Sequence, residues 1–260
     1  MSRRPSTVHP AVRGFDRSAE AYERGRPGYP PTAIRYLARA LRIGPGTTVV
    51  ELGGGTGKFT RGLVATGAAV VAIEPTAGMR RVFRRVLPST LVLDAVAEAL
   101  PLPDAFADAV VSAQAFQWFR PAPALREISR VLRPHGGLGL VWNVRDESVR
   151  LSRRLTELVD RHGGSVWRAR DTRWREGLRR YGQDFGRVSR RSFSHVQRMT
   201  PSEVEARVLS ISAVATLPRA EQREVAREVR SILSDDPSAI GGAVVRLRYR
   251  TDVYVARRRN

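Results

Sequence analysis

Two acidic residues stand at the ends of apolar runs, one on each side of a glycine-rich turn. In Val49-Val50-Glu51-Leu52-Gly53-Gly54-Gly55-Thr56-Gly57 a buried strand ends in an acid, then breaks into a turn that should open a helix. Ala69-Val70-Val71-Ala72-Ile73-Glu74-Pro75 is a second strand of the same kind, its acid 17 residues past Gly57. A glycine turn lets a polar ligand lie against bare backbone, because no Cβ holds it away. The acids can meet a cationic amine or a hydroxyl. Two better-known loops are excluded. A P-loop needs Gly-Lys-Ser/Thr, but Gly57-Lys58 is followed by Phe59 and Leu52 stands where its first glycine belongs. The dinucleotide pattern G-x-G-x-x-G fails at Lys58. In doubly wound folds an acid at the tip of the second strand takes ribose hydroxyls about 20 residues after the glycine turn. Glu74 suits that role; its bland alternative is an acid favoured by a helix N-terminus.

Regular elements must carry these residues. Strands are predicted near 47–52, 69–74, 90–95, 108–113 and 137–143, with helices near 57–66, 76–86 and 121–132. Such alternation implies a parallel sheet covered by helices on both faces. Two short helices, near 15–24 and 31–42, precede it and are split by the prolines of Arg26-Pro27-Gly28-Tyr29-Pro30-Pro31. One domain is expected over 1–260. It comprises an N-terminal helical cover (1–44), a core (45–145), an arginine-rich helical lid (146–185) and C-terminal strands and helices (186–260). In the last part a strand is expected over 186–199, helices over 201–214 and 218–234, and an alternating strand over 244–256. Thr200-Pro201-Ser202-Glu203 carries a cap and a first-turn proline.

The glycine loop and its acid resemble motif I of the class I S-adenosylmethionine-dependent methyltransferases, and further segments follow in family order. Ala97-Glu98-Ala99-Leu100-Pro101-Leu102-Pro103 is similar to the family's adenine-side segment. The stretch from Phe106 to Phe119 looks like its fourth strand and following loop, and Leu132-Arg133-Pro134-His135-Gly136-Gly137 like the turn before its fifth. The small-molecule enzymes of trans-aconitate and ubiquinone-biosynthesis type look nearest. The resemblance implies a doubly wound, Rossmann-like α/β sheet of seven strands in the order 3-2-1-4-5-7-6, the last antiparallel. It also implies S-adenosyl-L-methionine as cofactor. Gly53, Gly55 and Gly57 would approach its methionine part. Glu51 would face its amino group directly or orient a basic neighbour, and Met79 would pack on the adenine or simply in the core. Ala97 and Glu98 would border the adenine, although Val96 stands where the family often has a polar residue. Gln114 and Phe116 would lie near the sulfonium. Tyr22, Arg26 and Tyr29 match a "Y…R-P-x-Y-P" element that closes over the cofactor, Arg26 reaching the methionine carboxylate.

On the acceptor side, Gln117, Trp118, Trp142 and Asn143 should border the transferred methyl group. Several relatives carry His where this chain has Gln117, so no general base stands out. His9, His135, His162 and His195 do not cluster, and no ligand spacing suggests a metal.

The formal charge of +20 invites a nucleic-acid partner. Yet every basic residue except Lys58 is arginine, a bias that a GC-rich coding sequence also produces. The arginines spread along helices rather than gathering with aromatics as a stacking platform would. No Asn/Asp-Pro-Pro-Tyr/Phe element follows the fourth strand. A small-molecule acceptor, anionic if the arginine-rich lid faces it, is therefore favoured. An RNA methyltransferase and an inactive cofactor-binding homologue are the rivals. No apolar run approaches a membrane span, and Met1-Ser2-Arg3-Arg4-Pro5 does not read as a secretory signal. The absence of cysteine suits a reducing cytoplasm.

Overall fold

In the computed structural model, which describes residues 19–162, 173–236 and 244–259, seven strands form one sheet in the order β3-β2-β1-β4-β5-β7-β6. The strands are β1 (Thr48–Leu52), β2 (Ala69–Ile73), β3 (Leu91–Leu93), β4 (Ala107–Ala113), β5 (Leu132–Arg145), β6 (Ser189–Met199) and β7 (Val245–Arg257). Strands β1 to β5 pair in parallel, while β7 runs antiparallel to both β5 and β6. The expected order holds throughout.

Burial explains the pattern. Val49, Val50, Leu52, Val110 and Val111 are almost inaccessible, as strands covered on both faces must be. One face packs on α2 (Pro31–Leu41), which presents Ala33, Ile34, Leu37 and Leu41 at helical spacing. The other face packs on α5 (Pro121–Val131) through Ala124, Leu125 and Ile128. The core also includes α1 (Ala19–Gly25), α3 (Thr60–Val64) and α4 (Ala77–Val86). The expected helix at 15–24 falls partly outside the described residues, as do the N-terminal tail and His9.

Some boundaries differ from expectation. The helix after the glycine loop begins only at Thr60, because Gly57 closes a turn onto the Gly54 carbonyl before helical pairing starts. Strand β3 is three residues long rather than six. Beyond Leu93 the chain leaves the sheet, and Asp94 instead makes a bidentate pair with Arg80 at 2.6 and 2.9 Å. Strand β5 starts at Leu132, earlier than expected. Its first turn stays joined to β4 by Arg133, which donates to Asp108 (2.7 Å) and to the Ala105 carbonyl (3.2 Å).

After β5 come α6 (Arg150–Arg161), α7 (Arg173–Tyr181), α8 (Pro201–Leu209), a short α9 (Ser212–Ala215) and α10 (Arg219–Ser234). Helices α6, α8 and α10 bury Leu155, Val204, Val208, Val229 and Leu233 against Val245, Leu247 and Tyr249 of β7. The lid expected over 146–185 therefore divides. Helix α6 joins the C-terminal helices, whereas α7 packs beside α5 and stacks Trp174 on Trp142, ring centroids 4.4 Å apart. Residues 163–172, between them, lie outside the described part.

Thr200 opens α8 with the expected cap. Its hydroxyl accepts from the Glu203 amide, and the Glu203 carboxylate accepts from the Thr200 amide. Thr200→Ala is expected to cost about 1 kcal/mol. It should lower the melting temperature by roughly 2–4 °C in a chain of this size, read by calorimetry.

Candidate functional site

The carboxyl ends of β1, β2, β4 and β5 converge at one edge of the sheet, where open α/β folds bind ligands. Glu51 and Glu74 are both buried there, 1% and 5% exposed. Glu74 accepts from the Gly55 amide (2.9 Å), the Thr76 amide (2.9 Å) and the Thr76 hydroxyl (2.6 Å). Burial raises its pKa, and those hydrogen bonds partly oppose the rise. Among the described residues Glu51 has a single hydrogen bond, from the Thr60 hydroxyl at 2.6 Å. Burial with so little compensation pushes its carboxyl up to about 8, and Glu74 adds to the shift.

The three glycines of the loop have different reasons to be glycine. A Cβ on Gly53, which is left-handed at φ +73°, would stand 2.4 Å from the Ala115 Cβ. One on Gly57 would meet Leu87 at 2.8 Å. These two positions are demanded by packing. Gly55 has φ +57°, and a Cβ there would meet only the Gly53 carbonyl, at 4.0 Å. Of the three, Gly55 is the one whose bare side faces open space. Beside it the Thr56 hydroxyl is buried without a hydrogen-bond partner. An open backbone cradle, an orphaned hydroxyl and two buried acids fit a polar, partly cationic nucleoside.

Adjoining the loop is a cavity of about 150 Å³. The N-terminal cover supplies Tyr22, Arg26 and Tyr29, the glycine loop Lys58, β4 Gln114, and β5 Asn143 with Arg145 and the following Glu147. Helix α6 supplies Thr156, Val159 and Asp160, and Arg207, Ile211 and Tyr249 close it. Gln114 stands at φ +58°, its side chain donating to the Asn143 carbonyl (3.0 Å). Asn143 spans the gap, donating to the Gly28 carbonyl (2.9 Å) and accepting from Thr251 (2.6 Å). That bond ties the N-terminal cover to the sheet.

Arg26 lies over the Tyr22 ring and donates to the Ser210 carbonyl at 3.2 Å. Burial, with Arg207 nearby, lowers its pKa to about 9. Met79 is buried with Val82 and Ala19, Tyr22 lying against the same cluster. Ala97 is buried, and Glu98 accepts from the Arg120 amide (2.8 Å), which anchors the chain entering α5.

The expected acceptor-side group separates. Gln114 and Asn143 reach the cavity, whereas Gln117, Trp118 and Trp142 are not among its walls. Trp142 points to the opposite sheet face, packed on Trp174 and Tyr254, because adjacent strand residues alternate faces. Gln117 accepts from the Trp142 indole (3.0 Å) and donates to the Gln114 carbonyl (2.8 Å). With both ends of its amide engaged it braces the loop. Phe116 is buried in the core.

Sequence reasoning does not single out the cavity-lining Arg207, Tyr249 and Thr156. No local motif marks them; only their convergence does. Among the described residues the arginines that reach the cavity are Arg26, which the motif placed near the cofactor, with Arg145 and Arg207; none comes from α6 or α7.

Residues 50–140 match the methyltransferase domain family. The chain is 40% identical over 237 residues to an uncharacterised methyltransferase of Mycobacterium tuberculosis, covering 91% of this chain and 92% of that protein. It belongs to the class I S-adenosylmethionine-dependent methyltransferases. A solved structure from Anaeromyxobacter dehalogenans, provisionally described as a type II methyltransferase, shares the fold at TM-score 0.66 and 24% identity, covering 90% of this chain and 97% of that one. Another is an N-methyltransferase of Haemonchus contortus in complex with phosphomonomethylethanolamine and S-adenosylhomocysteine. It matches at TM-score 0.56 and 15% identity, over 94% of this chain and 58% of that one. Among the described residues no cluster of His, Asp or Glu could hold a metal, and no helix is long and apolar enough to cross a membrane.

Proposed function

We propose that this methyltransferase binds S-adenosylmethionine between the glycine loop and Glu74 and methylates a small molecule held in the adjoining cavity. The observation that carries this reading is the cavity itself, lined by the N-terminal cover, the strand ends and the C-terminal helices. Its size suits a small acceptor better than a polymer.

Bound there, the cofactor would supply a methyl group already activated by its sulfonium. Glu74 would take the ribose hydroxyls, exchanging part of its hold on the Gly55 and Thr76 donors. Glu51 would receive the cationic amino end, and Arg26 with Tyr22 the carboxylate. Ala97, Glu98 and Met79 would border the adenine. Gln114 and Asn143, at the ends of β4 and β5, would position the acceptor. Alignment of this kind supplies up to about 7–11 kcal/mol in the best intramolecular cases. The cover, pinned by Asn143 to Gly28, would exclude water.

A second reading has one observation in its favour. Arg246 and Arg248 are exposed on β7, and Arg198 of β6 stands directly opposite Arg246. Like charges so placed repel, and a phosphate backbone would relieve them. Methyl-labelled cofactor incubated with the full chain and a cell extract separates the readings. Label is expected in the small-molecule fraction. Label in nuclease-sensitive polymer would overturn the small-molecule reading, and no label in any fraction would favour an inactive homologue.

A further inference from the structure

The cavity holds an electrostatic imbalance that the cofactor alone does not remove. Arg207, only 8% exposed, lies on α8 where that helix crosses the end of α1. The crossing is so close that a Cβ on Gly25 would stand 2.6 Å from the Arg207 Cα. Arg207 is therefore held in place by backbone packing. Among the described residues its guanidinium makes no ion pair, and its Nε is buried without a hydrogen-bond partner. Arg26 is the nearby second cation, and its Nε is orphaned too. Burial first, and repulsion from Arg207 second, lower its pKa.

Two further groups on the same walls lack partners. The Tyr249 hydroxyl (3% exposed) and the Thr156 hydroxyl (6% exposed) are both buried and unbonded. Buried polar groups are nearly always hydrogen-bonded, and buried charges paired. Four such exceptions on one cavity point to a ligand that supplies acceptors and negative charge. The carboxylates in the cavity wall do not supply it, since Glu147 and Asp160 are engaged in interactions of their own and pair with neither arginine.

We propose that the part of the cavity built by α6, α8 and β7 is an oxyanion subsite. The acceptor is a small carboxylic acid, its carboxylate held by the Arg207 guanidinium and the hydroxyls of Tyr249 and Thr156. Arg26, stacked on Tyr22 nearer the glycine loop, is left for the cofactor's own carboxylate. Arg26 and Arg207 then each meet an anion, and neither guanidinium stays unpaired. This assignment rests on the methyl-transfer reading above.

The test uses the full chain, labelled donor, a panel of small mono- and dicarboxylic acids, and the amides of the same acids. Label is expected in the acid panel, with little or none in the amides. Arg207→Gln should raise KM for the best acid by about 10- to 100-fold, the worth of a charged hydrogen bond. Affinity for S-adenosylhomocysteine, read by calorimetry, should be unchanged, and Arg207→Lys should recover part of the loss. Tyr249→Phe removes only an unpartnered hydroxyl, so it should fold normally and still raise KM for the acid.

Equal labelling of acids and amides would overturn the subsite. Labelling of neither panel by a chain that binds S-adenosylhomocysteine would do so as well. Arg207→Gln loosening the cofactor product as much as it impairs turnover would reassign Arg207 to the cofactor. A wild-type chain that cannot bind S-adenosylhomocysteine would instead sink the methyl-transfer reading, and the subsite with it.

Discussion

Glu74→Ala is expected to weaken S-adenosylhomocysteine binding by about 100-fold or more, since two charged hydrogen bonds to a ribose diol contribute roughly 1.5–3 kcal/mol each. The same change should destabilise the protein without ligand. Glu74 accepts from the Gly55 amide, the Thr76 amide and the Thr76 hydroxyl. Removing it strands those donors at a buried position, at about 1–3 kcal/mol for each one that finds no new partner. Glu74→Gln separates the two effects. Its carbonyl oxygen can still accept from the loop, but its amide nitrogen cannot, so stability should largely return while affinity stays low. Calorimetric titration below the melting point of each variant gives the affinities, and denaturant unfolding gives the stabilities. Wild-type affinity in Glu74→Ala would remove the cofactor from this strand end.

The second large effect concerns Glu51 and pH. Its carboxyl titrates at about 8 in the folded chain, against an ordinary value of 4.5. The native state thus keeps a proton that the unfolded chain releases. Stability from the buried neutral form is fully present below about pH 4.5 and is lost as pH rises toward 8. At about 1.36 kcal/mol per pH unit the contribution is on the order of 5 kcal/mol. Glu74 is shifted in the same direction, whereas Asp108 and Asp252 are shifted down and lose their contribution in acid. The diagnostic quantity is therefore a difference. Urea unfolding from pH 5 to 9 should show wild-type stability falling relative to Glu51→Gln. Parallel curves for the two proteins would refute the assignment. A cationic ligand beside Glu51 favours its charged form, so cofactor binding near pH 7 should release close to one proton. Titrations in buffers of different ionisation enthalpy measure that release.

The core of the fold was legible because its signals are local. A strand buried on both faces is a run of Val, Ile and Ala, and β1, β2 and β4 stand within about a residue of where those runs end. Register follows from the same runs, pairing Glu51 with Ala72 and with Val111 at neighbouring strand ends. The capping box at Thr200 was legible for the same reason, since all its atoms lie within four residues. Edges were harder. Strand β3 ends early because the distant Arg80 captures Asp94, a pairing that composition does not announce.

The candidate site residues divide along the same line. Glu51, Gly55 and Glu74 sit at motif positions, the two acids buried and the bare side of Gly55 open. Gly53 and Gly57 belong to the motif too, but their Cβ-free faces meet Ala115 and Leu87 rather than open space. Trp142 and Asn143 are neighbours in the chain and were grouped together, yet strand alternation sends them to opposite faces. The same alternation puts Arg246 and Arg248 on the surface and turns Tyr249 inward.

By itself, the order of residues determined the parallel core strands, the glycine turn and the two acids that flank it, because periodicity and turn chemistry act over a few residues; the order of the seven strands came from the family resemblance. Only the tertiary structure decided which distant residues join the N-terminal cover around the cavity beside that turn. Arg207 shares one cavity with Arg26, Tyr249 and Thr156 because α8 crosses α1 at Gly25 and β7 returns beside β5. Contacts made across nearly two hundred residues of chain depend on packing, which no single stretch of sequence displays.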